Sequence, residues 1–465
     1  MPADAPPARV TRRPAAPRLA AGGRRLLANP LVGGAGALSV AQYAATALGL
    51  LTTLLLARAL GPHAYGVASL VIAYPSMVWA FSTLKPVAIT TRYVSRFRAS
   101  GETDRLVGVC QLGYLVDAGM AGVAFVLVAA TAPWVAGRFY AMPERAWMMI
   151  VFAAFFPIAS LSGTNQAVLT SFGEFRLLAA LRFARAALLL AMSGVVLALG
   201  ASITGYVLAM ALSQAVASLL EAAAAVRTLA RAGAGPRRLL RSRLGEIEPL
   251  RRELRGLFGW SYVLSTATSV ADQLPLLLLG RFAGPAASGF YRLAILVATG
   301  AMVPEGAMAK VVFPRLAAEW DRSPGTGTRR QLWRWTLKAG FPAAGSVLLM
   351  LLLLPFAVRP LFGAGYVPMV PGAQVLLLAT AVRAACFWLE PSYYAAGRVG
   401  LWTRLHVAQV AALLAVSWFA VARFGFMGAA VSVAVLRIAL VAAGVASLPR
   451  ARPRPITHDD AAGAA

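Results

Sequence analysis

Acidic residues are scarce in this sequence: 17 Asp and Glu stand against 44 Lys and Arg. Charged residues of both signs make up only 13% of the 465 positions, while 59% are hydrophobic. A soluble protein of this size covers itself with a much larger charged fraction, roughly 25–35% of its surface, so a soluble enzyme or binding module is excluded. Cysteine is nearly absent. Cys110 and Cys386 each sit inside an apolar run, which excludes a disulfide framework and a thiolate metal cluster. The three histidines, His63, His406 and His458, are scattered and argue against a metal centre. No glycine-rich loop ends in Gly-Lys-Ser/Thr, and Ser323-Pro-Gly-Thr-Gly-Thr reads as a flexible turn. ATP hydrolysis by this chain is therefore not expected.

What the chain has instead is apolar runs of about 20 residues, the length a helix needs to cross roughly 30 Å of hydrocarbon. Twelve spans are expected, at about 33–57, 65–84, 106–130, 146–170, 178–200, 203–226, 257–280, 288–312, 337–358, 370–394, 400–421 and 425–448. Residues 1–30 carry six arginines and no short apolar stretch with a small-residue cleavage site, so they read as a disordered basic cytoplasmic tail rather than a signal peptide. The first lobe takes 31–226, a linker 227–256, the second lobe 257–448 and a second cytoplasmic tail 449–465. With the N-terminus inside, 32 of the 44 cations fall on the cytoplasmic side. The opposite side keeps Arg58, Arg138, Arg145, Arg281, Arg359 and Arg423. That asymmetry places both termini in the cytoplasm and assigns the positive charge to orientation and lipid contact, with no nucleic-acid partner. In the linker, Leu240, Leu244, Ile247, Leu250 and Leu254 recur at spacings of three and four between arginines. This is the pattern of a basic amphipathic helix on an anionic leaflet.

The halves echo each other. Arg58, Gly61, Pro62 and Gly66 fall on Arg281, Gly284, Pro285 and Gly289 at a shift of 223, and Gly173 falls on Gly397 at 224. The expected fold is all-α and polytopic, with about twelve transmembrane helices in two pseudo-symmetric six-helix lobes and the substrate path at the seam.

Some charges lie where bilayer is expected. An ionised side chain at mid-bilayer costs about 2.5–3.5 kcal/mol on insertion scales, so it marks a wet cavity or a partner. Arg185, Glu221 and Arg437 fall within about two turns of a helix end and are expected to snorkel. Lys85, Arg292, Lys310 and Arg383 are candidates to neutralise a phosphate or diphosphate. Asp117, Asp272, Glu305 and Glu390 are candidates to balance those cations or to carry a proton or Na⁺. No other cofactor, no metal and no catalytic residue is expected. Most of the aromatics near the spans, Trp79, Phe81, Trp260, Tyr262, Tyr291, Phe387, Trp388, Tyr393 and Tyr394, fit an interface belt or packing. A few are placed to stack on sugar rings.

Leu56-Ala-Arg-Ala-Leu-Gly-Pro-His-Ala-Tyr-Gly and Asp272-Gln-Leu-Pro-Leu-Leu-Leu-Leu-Gly-Arg-Phe-Ala-Gly-Pro resemble the polysaccharide-export branch of the multidrug/oligosaccharidyl-lipid/polysaccharide (MOP) flippase superfamily. The resemblance covers about residues 30–448. It implies two six-helix lobes around a central cavity, and flipping of an undecaprenyl-diphosphate-linked oligosaccharide across the bacterial inner membrane by alternating access. It further implies O-antigen, capsule or exopolysaccharide assembly alongside a polysaccharide polymerase and glycosyltransferases. Gln273 departs from the basic residue that often follows the Asp in that family, and Pro-Ala-Ala-Ser-Gly replaces bulkier residues. The competing readings are a lipid II-type flippase, a multidrug–cation antiporter of the same superfamily, and a membrane-embedded glycosyltransferase or polymerase. The last expects a sizeable exoplasmic loop with acidic residues. The longest here, about 131–145, offers only Glu144.

Overall fold

The structure is a computed structural model that describes residues 30–82, 87–235, 238, 251–302, 308, 312, 316, 326–396 and 398–448. Every regular element among the described residues is helical. Hydrocarbon demands this, because a helix pairs its backbone groups within its own segment. Helix α1 (Pro30–Ser82) has 53 residues, about 80 Å at 1.5 Å per residue and enough for two crossings. Its break is at Gly61, with φ 74 and ψ 171, a conformation that glycine adopts without the clash a Cβ would make. The remaining helices of the first half are α2 (Val87–Ser100), α3 (Thr103–Trp134), α4 (Ala146–Ala154), α5 (Phe156–Ser160), α6 (Ser162–Ser171), α7 (Phe175–Ala198) and α8 (Ile203–Arg231).

The second half repeats the plan. It comprises α9 (Arg251–Phe282), α10 (Gly284–Ala301), α11 (Thr326–Trp335), α12 (Phe341–Phe362), α13 (Val370–Ala385), α14 (Leu389–Ala395) and α15 (Val399–Ala446). Helix α15 is itself two crossings joined at Gly425, φ 55. Among the described residues, eight helices are long and apolar enough to cross a membrane, and two of these are doubled. Helix α9 with α10 opens the second half as the two arms of α1 open the first, which fits about twelve crossings in two lobes. Large apolar side chains such as Leu352, Phe356 and Phe419 point outward, as a lipid-facing surface requires. Helices α8 and α9 extend into the 227–256 linker from its two ends, and residues 239–250, where the amphipathic pattern falls, lie outside the described residues.

The buried apolar side chains show how the lobes are joined. One cluster takes residues from both halves, including Leu56, Tyr65 and Val71 with Leu276, Tyr291 and Tyr366. Two further clusters each belong to one lobe, one around Tyr93, Val107 and Leu229 and the other around Leu332, Trp388 and Trp402. The lobes thus share a core where the Gly-Pro turns lie and have separate cores at the ends that carry the basic segments.

Candidate functional site

The two Gly-Pro turns pack against each other. A Cβ on Gly66 would collide with the Pro285 carbonyl, and a Cβ on Gly289 would collide with the Pro62 carbonyl. The duplicated motif therefore meets its own copy in a reciprocal, two-fold-like joint, and glycine at both positions lets the backbones come that close. Two tyrosines repeat the exchange. Tyr366 donates its hydroxyl to the Ala57 carbonyl at 2.9 Å, while the Tyr140 ring lies 2.8 Å from where a Cβ on Gly280 would be. Ala57 and Gly280 are related by the same shift of 223. Arg58 Nη1 adds a 2.6 Å hydrogen bond to the Pro360 carbonyl. Tyr366→Phe is expected to lower stability by about 1 kcal/mol, read as a lower unfolding midpoint in detergent. An unchanged midpoint would show that this bond adds nothing to the joint.

Beyond the joint, each lobe has a cavity where its fourth crossing is broken. In the first lobe that crossing is α4, α5 and α6, interrupted at Phe155 and Leu161, with Pro157 in the first turn of α5. Proline removes a ladder hydrogen bond and clashes with the preceding turn. The amide and hydroxyl of Thr164 both donate to Asp117 Oδ2, at 3.1 and 2.7 Å. Asp117 is 6% exposed and Glu221 only 2%. Glu221 accepts from Ser162 Oγ and, at 3.5 Å, from Gln166 Nε2, and Arg185 donates to Gln214. The cavity has a volume of about 410 Å³. Its apolar wall is Trp79, Phe152, Phe155 and Phe156, its polar wall Asp117, Ser160, Ser162 and Gln214, and Arg292 reaches it from α10 of the other lobe.

In the second lobe the fourth crossing is α13 and α14, separated by Cys386, Phe387 and Trp388. Gly340 permits the close approach there, since a Cβ would run into the Ala385 carbonyl. Trp388 Nε1 donates to Thr336 Oγ1 at 2.7 Å, tying the third crossing to the break as Asp117 does in the first lobe. The cavity beside it is about 350 Å³. Two ion pairs line it, Arg383 with Glu390 at 3.6 Å and Arg437 with Asp272 at 4.0 Å. His406 and Gln409 complete its polar wall.

Arg292, Arg383, Asp117, Asp272 and Glu390 all line cavities, while Lys85, Glu305 and Lys310 lie outside the described residues. The structure brings Arg383 to Glu390 and places Asp272 beside Arg437, a residue whose position near a helix end points to snorkelling. It also places Glu221 among Ser162 and Gln166 in the interior. Of the aromatics, Trp79 and Phe387 line cavities and Tyr291 and Tyr393 are fully buried. Phe152, Phe155 and Phe156 carry no sequence signal that separates them from other apolar residues of the span. Only Pro157 beside them marks the place.

A family model described as polysaccharide biosynthesis protein matches residues 31–320. No curated protein matches the sequence. Among solved structures, an inward-facing multidrug-resistance MATE family transporter of the MOP superfamily is similar at a TM-score of 0.70 and 14% identity, covering 86% of this chain and 92% of that one. The lipid II flippase MurJ in an inward closed conformation is similar at 0.65 and 11% identity, with 89% and 88% covered. A MOP superfamily transporter from Pyrococcus furiosus gives 0.57 and 15%, with 89% and 94% covered. The fold is the one these solved transporters and the lipid II flippase share.

Proposed function

Because this chain belongs to the polysaccharide biosynthesis protein family, we propose that it is a flippase for an undecaprenyl-diphosphate-linked oligosaccharide, an O-antigen, capsule or exopolysaccharide repeat unit. It works by alternating access in the bacterial inner membrane, with both termini cytoplasmic and the Gly-Pro joint on the exoplasmic side. The observation that carries this reading is the cavity at the first lobe's broken helix, into which the second lobe inserts Arg292. A site built by both lobes is rebuilt whenever the lobes rock, and discontinuous helices at the repeat interface are where transporters hold cargo and coupling ions. Arg292 meets the cargo's diphosphate. Arg383 and Arg437 stay balanced by Glu390 and Asp272 while the cavity is empty and turn to the anion on loading. Lys85 and Lys310 join them, Glu305 balances, and polymerase and glycosyltransferases act on either side of the transport step.

The test is reconstitution into liposomes with a labelled undecaprenyl-diphosphate oligosaccharide supplied in one leaflet. Protein-dependent arrival of label in the other leaflet, read with a membrane-impermeant reagent, is expected. Arrival at the rate of empty liposomes sinks the reading. Asp117 is the proton or Na⁺ carrier in this scheme, because its carboxylate holds the free end of α6 and forms no ion pair among the described residues. Asp117→Asn is expected to reduce the response to an imposed ion gradient by roughly 5–150-fold, the range of a site–site coupling. An unaltered ion response would remove it from that role.

A further inference from the structure

The first-lobe cavity has two unlike walls, and they fit one kind of guest. Trp79 and Phe156 meet edge to face with centroids 4.4 Å apart, and Phe152 meets Phe156 in the same way at 5.8 Å. Phe155 extends this surface at the helix break. The same lining carries the polar groups of Asp117, Ser160, Ser162 and Gln214. Both hydrogen bonds that Asp117 accepts fall on Oδ2, which leaves Oδ1 for a ligand. We propose that this cavity is a glycan subsite: a sugar ring of the cargo lies with one face on the Trp79–Phe155 wall and its hydroxyls on Asp117 and Gln214, while the phosphate at its anomeric end meets Arg292. This rests on the flippase reading and specifies what the first lobe grips.

The chemistry selects among guests. The face of a pyranose ring presents C–H bonds, weakly positive, and these settle on the negative face of an aromatic ring. Its rim presents hydroxyls that donate to a carboxylate and both donate to and accept from an amide. A prenyl tail would satisfy the aromatic wall and strip water from Asp117, Ser162 and Gln214 without replacing its hydrogen bonds, which is unfavourable. A bare diphosphate would satisfy Arg292 and meet the Asp117 carboxylate with like charge. A volume of about 410 Å³ lies in the range of small-ligand sites, about 300–1,000 Å³. The second-lobe cavity is lined by Phe387, Trp402 and His406 together with two Arg–carboxylate pairs, so its lining carries more charge than that of the first.

The experiment compares two probes on the purified full chain in lipid nanodiscs: undecaprenyl diphosphate carrying one N-acetylhexosamine, and undecaprenyl diphosphate alone. Wild type is expected to bind the sugar-bearing lipid more tightly. Trp79→Leu and Gln214→Ala are each expected to weaken that lipid about tenfold, equivalent to 1.4 kcal/mol, and to leave the bare lipid unchanged. Trp79→Phe, which keeps a ring face, is expected to restore most of the loss. Equal weakening of both lipids would assign the wall to the prenyl tail or to folding and overturn the proposal. Unchanged binding of both would overturn it as well. Wild type that binds neither lipid would remove the flippase reading itself, whereas wild type that binds both equally removes only the glycan subsite.

Discussion

Gly66→Leu is expected to hold the Gly-Pro joint apart and to abolish export. The new side chain has nowhere to go, because its Cβ alone would fall on the Pro285 carbonyl, a backbone atom of the facing turn. Forcing extra carbons into a packed contact typically costs about 1–3 kcal/mol, and each 1.4 kcal/mol shifts an equilibrium tenfold. The joint is destabilised by roughly 5–150-fold relative to its separated state, which need not pay this penalty. The check uses a chain with Cys110 and Cys386 replaced by serine and Ser76→Cys as a reporter in the first-lobe cavity. A membrane-impermeant maleimide added on the exoplasmic side should label the reporter faster in the Gly66→Leu background than in its parent. Gly289→Leu should behave alike, because it meets the Pro62 carbonyl in the mirrored contact. Membrane abundance separates this outcome from misfolding: a chain held open is still inserted. Normal export by Gly66→Leu would mean that the joint is not the closure.

The joint was half legible in the sequence. The shift of 223 that superposes the two turns marks them as copies, and Gly61 and Gly284 share a positive φ, 74 and 82, that glycine adopts without a Cβ clash. Nothing in a one-dimensional repeat says that copies touch. That follows from the two-fold relation between the lobes, which places each motif opposite its twin. Tyr140 and Tyr366 were invisible for the same reason, since what they touch lies in the other lobe. The second crossing, expected over about 65–84, ends as α1 does at Ser82, and beyond the apolar run a further helix, α2, buries Tyr93, Val94 and Phe97 while Arg92 and Arg96 are exposed. A segment beyond the apolar run is still helical where it has a lobe to pack on. Arg437 and Glu221 show the matching limit for charges. Distance from a helix end measures depth, but the direction a side chain takes around the helix decides whether it snorkels or turns inward, and that is set by neighbours distant in sequence. The aromatic wall was hidden most completely, because in an apolar span a phenylalanine facing a cavity and one facing lipid read alike.

Arg292→Ala carries the other large expectation, and its conservative partner makes the result interpretable. Arg292 comes from α10 of the second lobe yet lines the cavity of the first, so it is the cation through which the second lobe would meet the anion of a cargo gripped by the first. A hydrogen bond to a charged group contributes about 1.5–3 kcal/mol, so truncation should weaken binding of undecaprenyl diphosphate roughly 10–150-fold and lower transport in liposomes correspondingly. Arg292→Lys keeps the charge and loses the planar fork that fits a phosphate with two parallel hydrogen bonds. It should fall between wild type and alanine, and its binding should weaken more steeply with salt, since an unforked point charge relies on Coulomb attraction that mobile ions screen. If lysine and alanine bind the lipid equally poorly, the guanidinium is needed for packing rather than for the anion. Wild-type binding by Arg292→Ala would move the diphosphate to the second-lobe cavity, where Arg383→Ala then becomes the variant that must fail.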